Sequence, residues 1–274
     1  MAILELSGVS KSFSRNGRAN SQSGKVEVLR DIDLSIRENE FVCIVGRSGA
    51  GKTTLISLIA GLIDADSGSI LLEGRPIAGP GPDRGVIFQN YSLLPWLTVF
   101  ENVYLAVDAV AANLSESEKR QRTEHYIDLV HLGAAMKKVP RELSGGMRQR
   151  VAVARGLAMD PKVLLLDEPF SALDALTRGT LQEELARIWS ETRKTVVMIT
   201  NDIDEAILLA DTIYTLTPGP GATLGPAIAV DADHPRGRMQ LSGLPSCQKA
   251  RRETLRNLTA GVSQDVLPAP ATLH

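Results

Sequence analysis

Cysteine is scarce: Cys43 and Cys247 are the only two, far apart and in unlike contexts. Cys43 sits in "EFVCIVG", where a small buried hydrophobe is a plainer reading than a reactive thiol. So few thiols favour a reducing compartment. Long apolar runs are also missing. No stretch approaches the roughly 18 residues that a membrane helix needs, and "MAILELSGVSKSF" holds no segment of signal-peptide length. The chain is therefore expected not to cross a membrane by itself, although it can dock on something that does. Charge of one sign is absent too. Thirty basic and thirty-two acidic side chains leave a net charge of -2, which argues against a nucleic-acid partner, since such domains are usually strongly basic. No internal repeat is visible.

What is present is an ordinary globular balance, 43% hydrophobic and 23% charged over 274 residues, enough for one large α/β domain or two small ones. "MAILELSGVSKSF" and "VEVLRDIDLSI" alternate apolar with polar residues. The first predicts an edge strand of an antiparallel sheet, the second a strand with Val26, Val28, Leu34 and Ile36 turned inward. The polar "SRNGRANSQSGK" between them predicts a loop. "EFVCIVG", "KVLLLDE" and "TVVMIT" are continuous apolar runs, the pattern of strands buried on both faces. Helical segments with charged faces occupy about residues 91 to 156, and Ser115 followed by Glu118 is a capping-box pattern. Beyond about Pro218 the chain turns to Gly, Pro and Ala, then to a basic "QKARRETLRNL", predicting loops and a short solvated helix.

"GRSGAGKT", Gly46 to Thr53, fits G-x-x-x-x-G-K-[ST] between a predicted strand and a predicted helix. The small residues Gly46, Ser48, Gly49, Ala50 and Gly51, with Arg47, let backbone N–H groups curl round phosphate oxygens. The helix that follows, opening on Lys52, Thr53 and Thr54, aims its positive end at them. Lys52 can reach the outer phosphates of a nucleotide, and the Thr53 hydroxyl can ligate Mg²⁺. "VLLLDEP" ends a buried strand in Asp167 and Glu168, which alternation sends in different directions. One can bind the metal while the other polarises water; alone they could be no more than a solvated strand end, but beside this loop they make a phosphoryl-transfer site.

Between these stretches lies "ELSGGMRQRVAVARGLA", where Ser144, Gly145 and Gly146 precede an apolar helix and form a second anion site. Here the sequence resembles the ATP-binding cassette family. "GRSGAGKT", "VIFQN", "LSGGM", "VLLLDEP" and "SALD" stand in the family's order over roughly residues 1 to 220. The resemblance implies a P-loop NTPase core with a mainly parallel sheet, an N-terminal antiparallel β subdomain and the helical segment as an insertion. Residues 221–274 would be a C-terminal extension. It implies that Phe13 stacks on adenine, where the plainer alternative is an ordinary strand aromatic. Gln89 would contact Mg²⁺ and the attacking water, Asp167 would hold Mg²⁺ and Glu168 would be the general base. Ser144, Gly145, Gly146 and Asp174 would serve the ATP of a second subunit in a head-to-tail dimer, homomeric or heteromeric. The partners implied are that second ATPase subunit, integral membrane permease subunits and, indirectly, an external solute-binding protein, at the cytoplasmic face of the membrane. Trp96, Leu97, Val99 and Phe100 fall where the family receives a permease helix; helix core is the alternative for some of them. "NYSLLPW" and "PGPGATLGP" resemble importers of the nitrate, sulfonate and taurine group, nitrate preferred, with nitrite, cyanate, sulfonate or taurine as alternatives.

One position departs from the family. Where the strand after the Asp-Glu pair usually ends in a histidine that touches the γ-phosphate, this chain has Asn201, and His125, His131, His234 and His274 lie in other segments. An amide still donates to phosphate and accepts from water, but it cannot become cationic. The loss is roughly 1–1.5 kcal/mol, about tenfold in rate, against about 10²–10⁴-fold for a positioned general base. A slower ATPase is therefore expected rather than a dead one. Two rivals remain at this stage: a soluble cassette acting on nucleic acid or ribosomes, and a regulatory cassette that binds ATP and barely hydrolyses it.

Overall fold

A computed structural model describes residues 2–14, 24–241 and 243–259; most of the predicted loop before Lys25, and His274, lie outside them. In chain order the strands are β1 (Ala2–Ser14), β2 (Lys25–Arg37), β3 (Phe41–Gly46), β4 (Ser67–Leu72), β5 (Arg75–Pro76), β6 (Arg84–Ile87), β7 (Val163–Asp167), β8 (Thr195–Thr200), β9 (Thr212–Leu216) and β10 (Ile228–Ala229). The helices are α1 (Lys52–Ile59), α2 (Val99–Val110), α3 (Glu116–Leu129), α4 (Gly145–Ala158), α5 (Ala175–Thr192), α6 (Ile203–Leu209), α7 (Arg238–Leu241) and α8 (Pro245–Thr259).

The strands form two sheets. One is antiparallel, in the order β2-β1-β4-β5. The other runs β10-β9-β3-β8-β7-β6 and is parallel except for β10. Strand alternation explains the continuous apolar runs of the parallel sheet. Phe41, Cys43, Val45, Leu164, Leu166, Val196 and Met198 enter one apolar cluster with the long helices. Val42, Ile44, Val163, Leu165, Val197 and Ile199 enter the other, with α1 and the antiparallel sheet. Both faces are covered, so the strand interiors are apolar and polar residues fall only at strand ends, at Asp167, Thr195 and Thr200. Burial also pushes the Cys43 thiol well above its usual range, making it the inert core residue that its context suggests. Helices α2, α3 and α4 all fall between β6 and its parallel neighbour β7.

Three local expectations need correction. β1 is an inner strand, paired with β2 on one side and β4 on the other; β4 escapes notice because it opens on Ser67-Gly68-Ser69, which has no apolar alternation. Val26 is 39% exposed rather than turned inward, and Val28 is half-buried. The C-terminal helix is docked, not wholly solvated. Cys247, Ala250 and Thr254 recur at helical spacing and bury a narrow face, which the many basic residues hide from a composition-based reading. Ahead of it, the buried Arg236 guanidinium donates to the carbonyls of Ile207, Ala210, Val230 and Ala232 at 2.6–3.1 Å and pins the chain to α6.

Candidate functional site

The parallel strands point their carboxyl ends to one edge, where ligands bind in open α/β sheets. In spatial order that edge carries Pro218 just beyond β9, the glycine loop beyond β3, Asn201 beyond β8, Asp167-Glu168 at the end of β7 and Gln89 beyond β6. Segments far apart in sequence become neighbours at strand spacing.

Beyond Gly46 the backbone turns left-handed at Gly49 (φ 80°) and Gly51 (φ 96°), and α1 begins at Lys52. A side chain at Gly51 would also put its Cβ 2.8 Å from Val28 Cγ1, so position 51 needs glycine for both conformation and space. The first turn of α1 carries no acidic residue, which leaves its positive end free for an anion. Lys52 is 4% exposed and folds back over the loop, donating to the Gly46 and Arg47 carbonyls at 2.9 and 3.0 Å. Over the loop opens a cleft of about 570 Å³, lined by Val26, Glu27, Val28, Arg47, Ser48, Gly49, Ala50 and Pro218 to Pro220.

Thr53 Oγ1 donates to Asp167 Oδ1 at 3.2 Å, placing the two proposed metal oxygens side by side. Asp167 is 5% exposed, and burial raises its pKa above the usual carboxylate range, a cost that a cation here would offset. Glu168 takes the left-handed conformation (φ 43°), the kind of backbone strain that clusters at functional sites. The turn leaves its Oε1 3.1 Å from Lys52 Nζ. Gln89 lines a neighbouring cleft of about 440 Å³ together with Asp167. Asn201 lines a narrow chamber with Glu168, Ser171, Arg178 and Glu205. Lys52, Thr53, Asp167, Glu168, Gln89 and Asn201 are thus brought to one edge. His125 is against Tyr126, His131 near Arg187, and His234 pairs with Asp211; none lines the chamber beside Asn201.

Other predicted residues do not line the cleft. Phe13, at the end of β1, is 43% exposed and pairs in register with Val26, at the rim. Ser144 caps α4, its hydroxyl accepting from Met147 N at 3.2 Å. Asp174 caps α5, and the Thr177 N–H bond holds its carboxyl below the usual range. Gly146 brings the two caps together, since a Cβ there would lie 2.7 Å from Thr177 Cγ2. None of these lines the cleft over the glycine loop.

Sequence reasoning missed Glu205. It is 5% exposed, its carboxylate accepts from Gln182 Nε2 at 2.8 Å and from the Thr200 hydroxyl, and burial raises its pKa. The signal was the Asp202-x-x-Glu205 spacing directly after Asn201, a helix-start pattern.

The sequence model of the ABC transporter family matches residues 29–171. The chain is 54% identical over 232 residues to the nitrate import ATP-binding protein NrtC of Synechococcus elongatus, covering 85% of this chain and 35% of that protein. To the bicarbonate transport ATP-binding protein CmpC of the same species it is 51% identical, covering 92% of this chain and 37% of CmpC. The chain therefore spans little more than a third of these relatives. The nitrate import ATP-binding protein NrtD of that species is 50% identical, with 85% of each chain covered. Among solved structures, the post-hydrolysis dimer of the ATP-binding cassette MJ0796 bound to ADP and Pi superposes with a TM-score of 0.69 at 29% identity, covering 85% of this chain and 99% of that one.

Proposed function

The chain belongs to the ABC transporter family and has its ATPase cassette fold, and from that premise we propose that it is the ATP-hydrolysing subunit of an importer for a small planar oxyanion, nitrate in the first place. The observation that carries the catalytic half is the meeting of Lys52, Thr53, Asp167 and Glu168 within 3.2 Å contacts at one sheet edge. The solute is argued from the relatives, named for nitrate and for bicarbonate, both flat, singly charged oxyanions. These names do not favour sulfonate or taurine.

The residues divide the work. The backbone N–H groups of Gly46 to Thr54 and the α1 dipole hold the phosphates. Lys52 is poised to exchange the Glu168 carboxylate for phosphate oxygens, which frees Glu168 to orient and deprotonate water. Thr53 and Asp167 would hold Mg²⁺, with Gln89 beside them; bound there, it neutralises charge on the outer phosphates. Two protein oxygens suit Mg²⁺ when a substrate's phosphates supply the rest, and no cluster of three or more His, Cys, Asp or Glu able to hold a metal alone occurs among the described residues. Asn201, flanking Glu168, supplies a neutral contact to the γ-phosphate. Ser144, Gly145, Gly146 and Asp174, gathered on their own surface, serve the ATP of a second cassette, as the dimeric neighbour suggests.

No helix among the described residues is long and apolar enough to cross a membrane, so membrane docking falls to a surface. Trp96 is 71% exposed while Val99 is buried and Leu97 and Phe100 are half-buried. That stretch is the proposed seat for a permease helix at the cytoplasmic face, with an external solute-binding protein delivering the anion. The test is phosphate release from Mg·ATP with the permease in vesicles, while nitrate, bicarbonate and taurine uptake are followed. Nitrate uptake coupled to phosphate release is expected. Release uncoupled from any solute would sink the importer reading.

A further inference from the structure

The segment after β9, Thr217 to Thr223, does not wander over the surface. Thr217 N and Thr223 O close it on itself at 3.0 Å, and Thr223 N bonds Thr217 Oγ1 at 2.8 Å. The backbone of β2 then holds it edge-on: Gly221 N to Glu27 O at 2.7 Å, Ala222 N to Val28 O at 3.0 Å and Arg30 N to Ala222 O at 2.9 Å. Gly221 (φ 67°) lies so close under the Arg30–Glu27 pair that a Cβ would approach Arg30 Nη2 to 3.0 Å. The result is a fixed strap whose Pro218, Gly219 and Pro220 stand across the cleft from Val26 and Val28, with the phosphate loop as its floor.

We infer that this strap is the second wall of a nucleoside slot, and that Pro218 and Pro220 help to set how the base of a nucleoside triphosphate is held. The inference rests on reading the cleft as a nucleotide site. Prolines carry no N–H to donate, and valines opposite them are apolar, so the slot presents two unreactive faces to a flat ring. Apart from Arg47 and Ser48 on the floor, the polar side chain of the cleft is Glu27, whose carboxylate is already engaged by Arg30. A slot of this kind grips a ring by its faces rather than by its hydrogen-bonding edge. The phosphates would lie below it, on the loop from Gly46 to Thr54, whose nearest atom to a Cβ at Gly219 is Gly49 O at 4.0 Å.

Gly219 is the lever. An added Cβ meets nothing nearer than Gly49 O at 4.0 Å, so a larger side chain there enters the cleft without a backbone clash. The experiment compares the full chain with Gly219→Leu and Pro220→Ala, using Mg·ATP and inorganic tripolyphosphate as calorimetric probes. Gly219→Leu is expected to weaken ATP about tenfold or more, the order of a lost base-stacking contact, and to leave tripolyphosphate within about twofold. Pro220→Ala should weaken ATP in the same direction and less. Retained tripolyphosphate binding also shows that the phosphate loop is folded. Equal losses for both probes, or no loss for ATP, would overturn the inference. Wild-type protein that binds neither probe would overturn the nucleotide reading beneath it.

Discussion

At the scale of single residues, the site sets a carboxylate against an amide. Glu168 is held 3.1 Å from Lys52, so Glu168→Gln removes both a base and an internal counter-ion. Turnover is expected to fall by about 10²–10⁴-fold, while ATP, no longer competing for Lys52, binds more tightly; phosphate release and equilibrium titration read the two effects separately. Asn201→His restores a group able to carry charge and should raise kcat about tenfold. A wild type without turnover that Asn201→His rescues would instead favour a cassette kept for binding. Glu205 is predicted to act on stability. Burial raises its pKa, so the fold prefers its neutral form, and the cost of its charge is fully present above that raised value. The penalty from Glu205 alone should therefore shrink as pH falls from there towards the ordinary glutamate range, near 4.5. Glu205→Gln should be at least as stable as wild type at pH 7, with the gap closing near pH 4.5, as measured by urea unfolding.

Elements show where local chemistry was readable and where it was not. The Ser115–Glu118 box on α3 forms as the spacing suggests, with reciprocal bonds. The Thr98–Glu101 box on α2 has the same pattern and is equally complete, yet it lies inside "LLPWLTVFENVYLAVD", where the apolar residues draw the eye. Thr98→Ala should cost about 1 kcal/mol, seen as a lower thermal midpoint. The apolar runs of β3, β7 and β8 were legible because burial on both faces leaves no other pattern. β1 was legible as a strand but not as an inner one, because its second neighbour, β4, opens on small polar residues. The packing of α8 was hidden for a related reason: Cys247, Ala250 and Thr254 are small, and a docked face of small side chains barely changes mean hydropathy.

For the whole molecule, what could not be read from the sequence was adjacency. Motifs name the glycine loop, the carboxylates and Asn201, but only the order β9-β3-β8-β7-β6 says that Pro218, Lys52, Asn201, Glu168 and Gln89 share one edge. Ser144 and Asp174 carry the opposite lesson. They cap helices whose ends meet each other, away from the cleft over the glycine loop, so a single chain presents its proposed nucleotide contacts on separate surfaces. The sheet order also bears on motion. Three of the site's segments hang directly from β3, β7 and β8, whose residues are buried throughout. Amide hydrogens in such strands exchange only when the whole domain opens. Deuterium uptake at residues 42–45, 164–166 and 196–199 should therefore be the slowest in the chain and should speed up together, at one denaturant concentration. The strands that carry the glycine loop, the carboxylates and Asn201 are then a rigid base that lasts as long as the fold does, and adjustment above it is left to the loops and to side chains such as Lys52 and Glu168.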